Sequence, residues 1–271
     1  MPGKRGPSLF LVLLVGACAH APPPLTFALL GDTPYSAGEV ARLDRLIDDL
    51  NGERLDFVVH LGDIGSSRLA CNDAWLDARK AQFARVRHPV VMVPGDNEWT
   101  DCPDPRARLA AWRERFCAAP FPVEVQPGAY CEHRRWQAAG LLFVTLNVPG
   151  SNNNLREPEE SERRMRAVLS WLDDSAALAA KRSLTLVVLM QADPFVVRPR
   201  DGYASLRARM KQLGAQMPGK VVLAHGDTHL WQENDPWPGV HRLEVWGSPF
   251  VAWVPAQAGS GVVRFSAPRY R

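Results

Sequence analysis

Near the start of the chain, three short apolar stretches each end in a glycine–aspartate pair. The stretches cover residues 25–30, 55–61 and 89–93, and the aspartates that follow them are Asp32, Asp63 and Asp96. Apolar runs of this length, bounded by glycine, predict buried β-strands. Glycine before each aspartate lets the backbone turn sharply and approach a ligand closely. Because ligands in open α/β sheets bind beyond the carboxyl ends of the strands, we expect these carboxylates to converge on one crevice.

The segments between and after these strands predict the rest of the fold. Val40, Leu43, Ile47 and Leu50 recur three to four residues apart, which is typical of an amphipathic helix. Capping residues predict further helices after Asn72 and Asp104, and a long helix covers residues 158–180. Further strands are predicted at residues 130–136, 141–147, 184–190, 221–224, 243–246, 251–254 and 262–265. This order predicts an α/β fold with one central mixed sheet or two facing sheets, flanked by helices, in a single domain over residues 25–271.

Later strands also end in side chains that could bind a metal. Gln191 follows one strand, and Asp227 and His229 follow another. Carboxylates held close together repel one another, so one takes up a proton unless a cation neutralises them. Two divalent ions bridged by an aspartate would do so, and would also clamp a phosphoryl group. Each single aspartate has an alternative role as a helix cap or turn residue, but the recurrence at five strand ends favours a metal site.

In their order along the chain, these residues resemble the calcineurin-like metallophosphoesterases. The resemblance rests on Gly31-Asp32, Gly62-Asp63, Gly95-Asp96-Asn97-Glu98 and Gly226-Asp227-Thr228-His229. It implies a four-layer α/β/β/α sandwich, with two facing mixed β-sheets flanked by helices, and a two-metal site. It also implies hydrolysis of a phosphate ester, monoester or diester, by a metal-bound hydroxide.

Carried over position by position, the resemblance also implies roles for individual residues. The positions of the metal ligands are Asp32, Asp63, Asp96, Gln191, Asp227 and His229. The positions of the catalytic residues are Asp63, Asp96, Asn97 and His229. Asp63 corresponds to the ligand that bridges the two metals.

Four histidines of the family pattern are replaced in this chain, by Pro34, Asn97, Gln191 and Asp227. Carboxylate and amide oxygens suit magnesium, manganese or calcium, whereas imidazoles suit zinc and iron. We therefore expect one or two divalent ions, Mn²⁺ or Mg²⁺ first, with Ca²⁺ or Zn²⁺ as alternatives. Asn97 does not donate a proton at neutral pH, so the leaving group needs another donor. His60 and His225 are candidates, unless they are simply packed within their strands.

The same replacements leave a second hypothesis open, that of a cell-surface protein that keeps the fold, binds a metal or ligand, and has lost turnover. For the enzyme, we expect a small-molecule or lipid phosphoester as the substrate. The formal net charge is +3 and no basic block occurs, which argues against nucleic acid as an obligatory partner.

The first residues predict export from the cytoplasm. Lys4 and Arg5 precede a short apolar run, as in a secretory signal peptide, here over residues 1–17. The segment Val15-Gly16-Ala17-Cys18 resembles a bacterial lipobox, so we expect lipid on Cys18 and a tether over residues 18–24. A plain signal peptide, cleaved nearby with loss of Cys18, is the alternative. The expected location is the periplasm or cell envelope, on a membrane through the lipid.

The remaining cysteines predict two disulfides, because an oxidising compartment favours pairing. We favour Cys71–Cys102 together with Cys117–Cys131, since the first two each follow a motif loop and the last two are near in sequence. A zinc site is the alternative, but no C-x-x-C spacing supports it.

Overall fold

The computed structural model describes residues 24–128 and 130–270. The expected signal peptide and the lipidation of Cys18 lie outside these residues, as does the expected tether apart from Pro24. Within the described residues, no helix is long and apolar enough to cross a membrane.

Two mixed β-sheets form the centre of the protein. The strands are β1 (Leu25–Leu30), β2 (Phe57–His60), β3 (Val90–Met92), β4 (Glu124–Val125), β5 (Arg134–Ala138), β6 (Leu141–Thr145), β7 (Thr185–Leu189), β8 (Val221–His225), β9 (Gln232–Trp237), β10 (Val240–Glu244), β11 (Ala252–Gly259), β12 (Val262–Phe265) and β13 (Arg269–Tyr270). The first sheet has the order β12-β11-β1-β2-β3, with β13 paired to β11. The second has the order β4-β5-β6-β7-β8-β10-β9. The strands β1, β2 and β3 are parallel to one another, and so are β6, β7, β8 and β10.

Helices cover the outer face of each sheet. They are α1 (Ala37–Gly52), α2 (Ser67–Ala70), α3 (Asp73–Phe83), α4 (Pro105–Phe116), α5 (Gly150–Asn153), α6 (Pro158–Lys181) and α7 (Ala204–Gln216). The caps that the sequence predicts are present, since Asn72 accepts a hydrogen bond from the Ala74 backbone and Asp104 from the Ala107 backbone.

Three apolar layers hold these elements together. Phe27, Phe57 and Phe143 pack between the two sheets. Another layer lies between the first sheet and α1, α3 and α4, and the third between the second sheet and α6 and α7. The four-layer α/β/β/α sandwich is therefore confirmed, with two facing sheets rather than one.

Both predicted disulfides, Cys71–Cys102 and Cys117–Cys131, are also confirmed. The pairing leaves these four cysteines no free thiolate for zinc. Residues 151–154 form a tight turn with left-handed backbone angles around α5.

Candidate metal centre

The first sheet brings three of the predicted aspartates to one edge. The strands β1, β2 and β3 run parallel and their last residues are in register. Asp32, Asp63 and Asp96 therefore leave the sheet side by side, and the Asp32 backbone N–H donates to the Gly62 carbonyl at 2.9 Å. The convergence expected from the glycine–aspartate pairs is present.

The second sheet supplies the facing half of the site. The Asp227 backbone N–H lies 3.1 Å from both carboxylate oxygens of Asp32, and His229 Nε2 lies 3.8 Å from Asp32 Oδ1. Gln191 Nε2 lies 3.4 Å from Asp227 Oδ1. All six predicted ligand positions thus line one crevice between the two sheets, although β1 and β8 are far apart in the chain.

Tyr35, which follows the first motif loop in the sequence, lies at the centre of this crevice. Its hydroxyl donates to Asp63 Oδ2 at 2.6 Å and accepts from Asn97 Nδ2 at 2.8 Å. His229 Nε2 is 3.3 Å from the same hydroxyl. Asn97 also donates to Asp63, from its side chain at 2.9 Å and from its backbone at 3.1 Å. The phenol thus lies beside Asn97, at the position where the family pattern has a histidine.

The turn after β6 closes the other side of the crevice. Ser151 Oγ lies 2.7 Å from Asp96 Oδ2, and the Gly150 backbone N–H donates to Gln191 Oε1 at 2.5 Å. A Cβ atom at Gly150 would lie 2.5 Å from Asp227 Oδ1 and 2.8 Å from Asp96 Oδ2. Asp96 and Asp227 therefore approach the same point beside Gly150, and only glycine at this position leaves room for both carboxylates.

Of the glycines before the aspartates, Gly62 makes the expected sharp turn, with a left-handed φ of 106°, whereas Gly31, Gly95 and Gly226 do not. The left-handed backbone angles belong mostly to the ligand-type residues themselves, with φ of 51° at Asp32, 59° at Asp63, 89° at Asp227 and 60° at His229. What glycine provides is room, because a Cβ at Gly95 would lie 2.0 Å from Asp63 Oδ1. Left-handed angles at non-glycine residues cost on the order of 1–3 kcal/mol each and cluster at functional sites.

Glu98 and Ser248 hold the loops that carry these residues. The Glu98 carboxylate is fully buried and accepts backbone N–H groups from Asp63 at 3.2 Å, from Gly95 at 2.7 Å and from Ile64. The Ser248 carbonyl lies 2.7 Å from His229 Nδ1. Since a carbonyl only accepts, Nδ1 carries the proton, and Nε2 keeps a free electron pair directed at the crevice.

The aspartates form a buried cluster of like charge. Burial, and after it the neighbouring carboxylates, raise the pKa of Asp32 and Asp63 well above the usual range, and burial also raises the pKa of Asp96. Burial and then Asp96 raise the pKa of Asp227 to about 7. Among the described residues, the only basic side chain that forms a salt-bridge contact with one of these aspartates is His229, whose pKa burial lowers. The cluster therefore has excess negative charge, which a divalent cation would neutralise.

The side chains of the six ligand positions are of the kinds that bind a divalent cation, but they do not form a tight cage of donor atoms. Among the residues that the structure describes, one group offers three histidine, cysteine or carboxylate donor atoms within 4.8 Å of one another. It consists of Cys117, Cys131 and Glu132. Its two sulfurs are joined in a disulfide, so it is no metal site.

The two histidines considered as alternative proton donors are packed within the fold. His60 and His225 are fully buried, and burial lowers the pKa of His60 to about 4 and that of His225 to about 3. His60 Nε2 contacts the Thr33 carbonyl, and His225 Nε2 accepts from Arg242 Nε at 2.8 Å. Neither imidazole holds a proton to give at neutral pH, so the packed interpretation is correct.

Comparisons with known proteins agree with this geometry. A model of the calcineurin-like phosphoesterase family matches residues 25–231. Among solved structures, a dimetal phosphatase from Danio rerio superposes with a TM-score of 0.66 at 15% sequence identity, covering 92% of this chain and 99% of that one. No curated protein sequence gives a match.

Two further solved structures share the fold over most of this chain. A purple acid phosphatase from yellow lupin (Lupinus luteus) seeds gives a TM-score of 0.58 at 13% identity, covering 90% of this chain and 51% of that one. GAP50, the anchor in the inner membrane complex of Plasmodium, gives 0.59 at 12% identity, covering 91% and 84%. At such identities the structures show the fold alone. The family model matches most of the chain, so the protein belongs to the calcineurin-like phosphoesterases, hydrolases that cleave phosphoester bonds with divalent metal.

Proposed function

We propose that the crevice between the two sheets hydrolyses a small-molecule or lipid phosphoester, and that its six predicted ligand positions serve a divalent metal. The observation that carries the proposal is the meeting of three buried aspartates from the first sheet with the half-buried Asp227 from the second, around one neutral imidazole. The alternative of a fold that only binds a ligand is not favoured, because the family is one of hydrolases.

The residues divide into two groups around Asp63. Asp32 and His229 Nε2 lie together on one side and would hold one ion. Asp96 and Asp227 meet at Gly150 and would hold a second ion. Asp63, whose pKa is raised by burial and by charges that include Asp96 and Asp32, would bridge the two ions. Gln191 is the weakest member of the set, because its Oε1 already accepts from the Gly150 backbone. Oxygen donors outnumber the single imidazole, which favours Mn²⁺ or Mg²⁺.

When bound, the metal supplies positive charge that polarises the phosphoryl group and activates water. The chain's own contribution begins with Tyr35, which holds a proton at Oη, because burial and then Asp63 raise the pKa of Tyr35 well above its usual value. The Asn97 amide lies 2.8 Å from that hydroxyl and donates hydrogen bonds only. Tyr35 and Asn97 are neutral donors that hold the Asp63 carboxylate here. They would turn to substrate oxygens where a metal takes over that carboxylate, and Tyr35 would then take the place of the missing histidine. Tyr35→Phe is expected to lower kcat more than it changes KM, and equal kcat in this variant would contradict the role.

The N-terminal assignments complete the proposal. Residues 1–17 are proposed as a signal peptide, Cys18 as a lipidated residue, and residues 25–271 as the single domain that the lipid holds at the cell envelope. The two disulfides suit folding in an oxidising compartment. Mass spectrometry of the protein expressed in bacteria tests this, since lipid on Cys18 adds a defined mass that Cys18→Ser removes.

Hydrolysis assays with purified protein test the activity. The substrates are 4-nitrophenyl phosphate for a monoester and bis(4-nitrophenyl) phosphate for a diester, each with added Mn²⁺, Mg²⁺, Ca²⁺ or Zn²⁺ and again with a chelator. Asp63→Asn is expected to abolish hydrolysis, whereas Asp48→Asn, at an exposed position of α1, is the matched control. An absence of hydrolysis with all four metals would refute the proposal, and a fully active Asp63→Asn variant would show that the site lies elsewhere.

A further inference from the structure

A groove outside the aspartate crevice combines apolar walls with arginine. It lies between α1, α2 and the first turns of α3, and its volume is about 510 Å³, within the range of small-molecule sites. The residues that shape it include Val40, Leu69, Trp75, Ala78, Arg68 and Arg79. Its surface is mostly apolar, yet two cationic side chains border it.

Arg79 is a buried cation without a matching anion. Its side chain is 5% exposed, and its Nε and Nη1 atoms find no hydrogen-bond acceptor among the described residues. The guanidinium lies 4.4 Å from the centre of the Trp75 ring. The nearby acid, Asp44, is already bonded to Gln82 Nε2 at 2.8 Å and to Arg85. A buried guanidinium with two unused donors is costly unless an anion reaches it.

Arg68 adds a second positive charge at the rim. It is exposed on α2 and forms no salt bridge within the described part of the chain. The groove thus has positive charge where Arg79 and Arg68 border it, and its other walls are mostly apolar. We propose that it binds an anionic amphiphile, with the carboxylate or phosphate headgroup on Arg79 and Arg68 and the apolar chain against Val40 and Leu69.

The groove is separate from the aspartate crevice and shares one loop with it. Trp75 Nε1 donates to the Ile64 carbonyl at 2.8 Å, and Ile64 follows Asp63 directly. The inference does not depend on the proposed function, because it rests on the Arg79 and Trp75 side of this loop and requires no metal or turnover.

Isothermal titration calorimetry with octanoate and octylphosphonate tests the proposal on the purified protein in the presence of a chelator. Neither probe is a phosphoester, and without metal the aspartate crevice repels anions. Octanol and inorganic phosphate separate the contribution of the chain from that of the headgroup. We expect Arg79→Gln to weaken binding of at least one anionic amphiphile about tenfold or more, as for a lost charge-assisted hydrogen bond.

Two further variants control for folding and charge. Lys80→Gln removes the same charge from the next residue of α3, outside the groove, and should leave binding unchanged. Ala78→Phe fills the exposed groove without touching the buried core and should weaken binding while the protein stays folded. Because Nε and Nη1 of Arg79 lack hydrogen-bond acceptors among the described residues, Arg79→Gln should melt at or above the wild-type temperature.

Several outcomes would overturn the proposal. They are the absence of binding by both anionic amphiphiles, equal binding of octanol, equal binding of inorganic phosphate, and unchanged binding by Arg79→Gln. Preference for octanoate or for octylphosphonate, with loss in Arg79→Gln, would support it and identify the headgroup.

Discussion

Gly150→Ala is expected to damage the metal centre while leaving the fold intact. The residue is buried and its φ is not in the left-handed region, so the backbone itself accepts alanine. The new methyl would lie 2.5 Å from Asp227 Oδ1 and 2.8 Å from Asp96 Oδ2. Ordinary contact begins near about 3.5 Å, so these oxygens must each move apart by roughly 0.7–1 Å. A misplacement of about 1 Å at reacting groups costs about 100-fold in rate.

The assay is kcat/KM for the better 4-nitrophenyl ester with saturating Mn²⁺, together with the Mn²⁺ affinity and the melting temperature. Gly52→Ala is the matched control, because no atom lies within 4 Å of its added Cβ. We expect Gly150→Ala to lose about 100-fold in kcat/KM and to bind Mn²⁺ more weakly, with Gly52→Ala unchanged. Wild-type kinetics and metal affinity in Gly150→Ala would show that Asp96 and Asp227 do not act together at this point.

Two further predictions concern stability and the disulfides. In chelated protein, burial and then Asp96 raise the pKa of Asp227 from 3.8 to about 7. The folded state then binds a proton that the unfolded chain releases, so stability is greatest at about pH 4 and falls as pH rises to about 7, by up to roughly 4 kcal/mol for this group. Urea unfolding at about pH 5 and about pH 8 measures this difference, and Mn²⁺ should restore stability at the higher pH. A free energy of unfolding that does not change with pH would contradict the prediction. Replacing either disulfide by serines should cost about 3–4 kcal/mol, and slightly more for Cys71–Cys102, because its residues are 31 apart in the sequence and those of Cys117–Cys131 are 14 apart. Only Cys71→Ser/Cys102→Ser should also lower kcat, because these two sulfurs lie 3.8 and 3.5 Å from the Asn97 carbonyl. An equal loss of kcat in Cys117→Ser/Cys131→Ser would contradict a role of the first disulfide in positioning Asn97.

Local patterns in the sequence were enough to predict the framework of the site. Parallel strands end at one edge of a sheet, so Asp32, Asp63 and Asp96 could be placed together before any contact was known. Asp227 and His229 became candidates because they also follow a strand, and the resemblance to a family supported their convergence on the three aspartates, since no local rule specifies how two sheets face each other.

The contacts that complete the site could not be predicted, because they depend on distant packing. Tyr35 reaches Asp63 through a turn whose direction no periodicity encodes. Ser151 meets Asp96 across a separation of 55 residues. Among the strands, β9 was missed since it is an edge strand, Gln232–Trp237, whose polar residues and proline give no alternating apolar pattern.

The metal content of the purified protein decides whether the aspartate crevice is a metal centre. The protein is dialysed against Mn²⁺, freed of unbound ions, and measured by elemental analysis beside Asp63→Asn. We expect one or two Mn²⁺ ions per wild-type chain and fewer in Asp63→Asn, because that carboxylate is the proposed bridge between the two groups of ligands. Wild-type protein that retains no divalent metal, or an Asp63→Asn variant with the same content, would contradict this expectation.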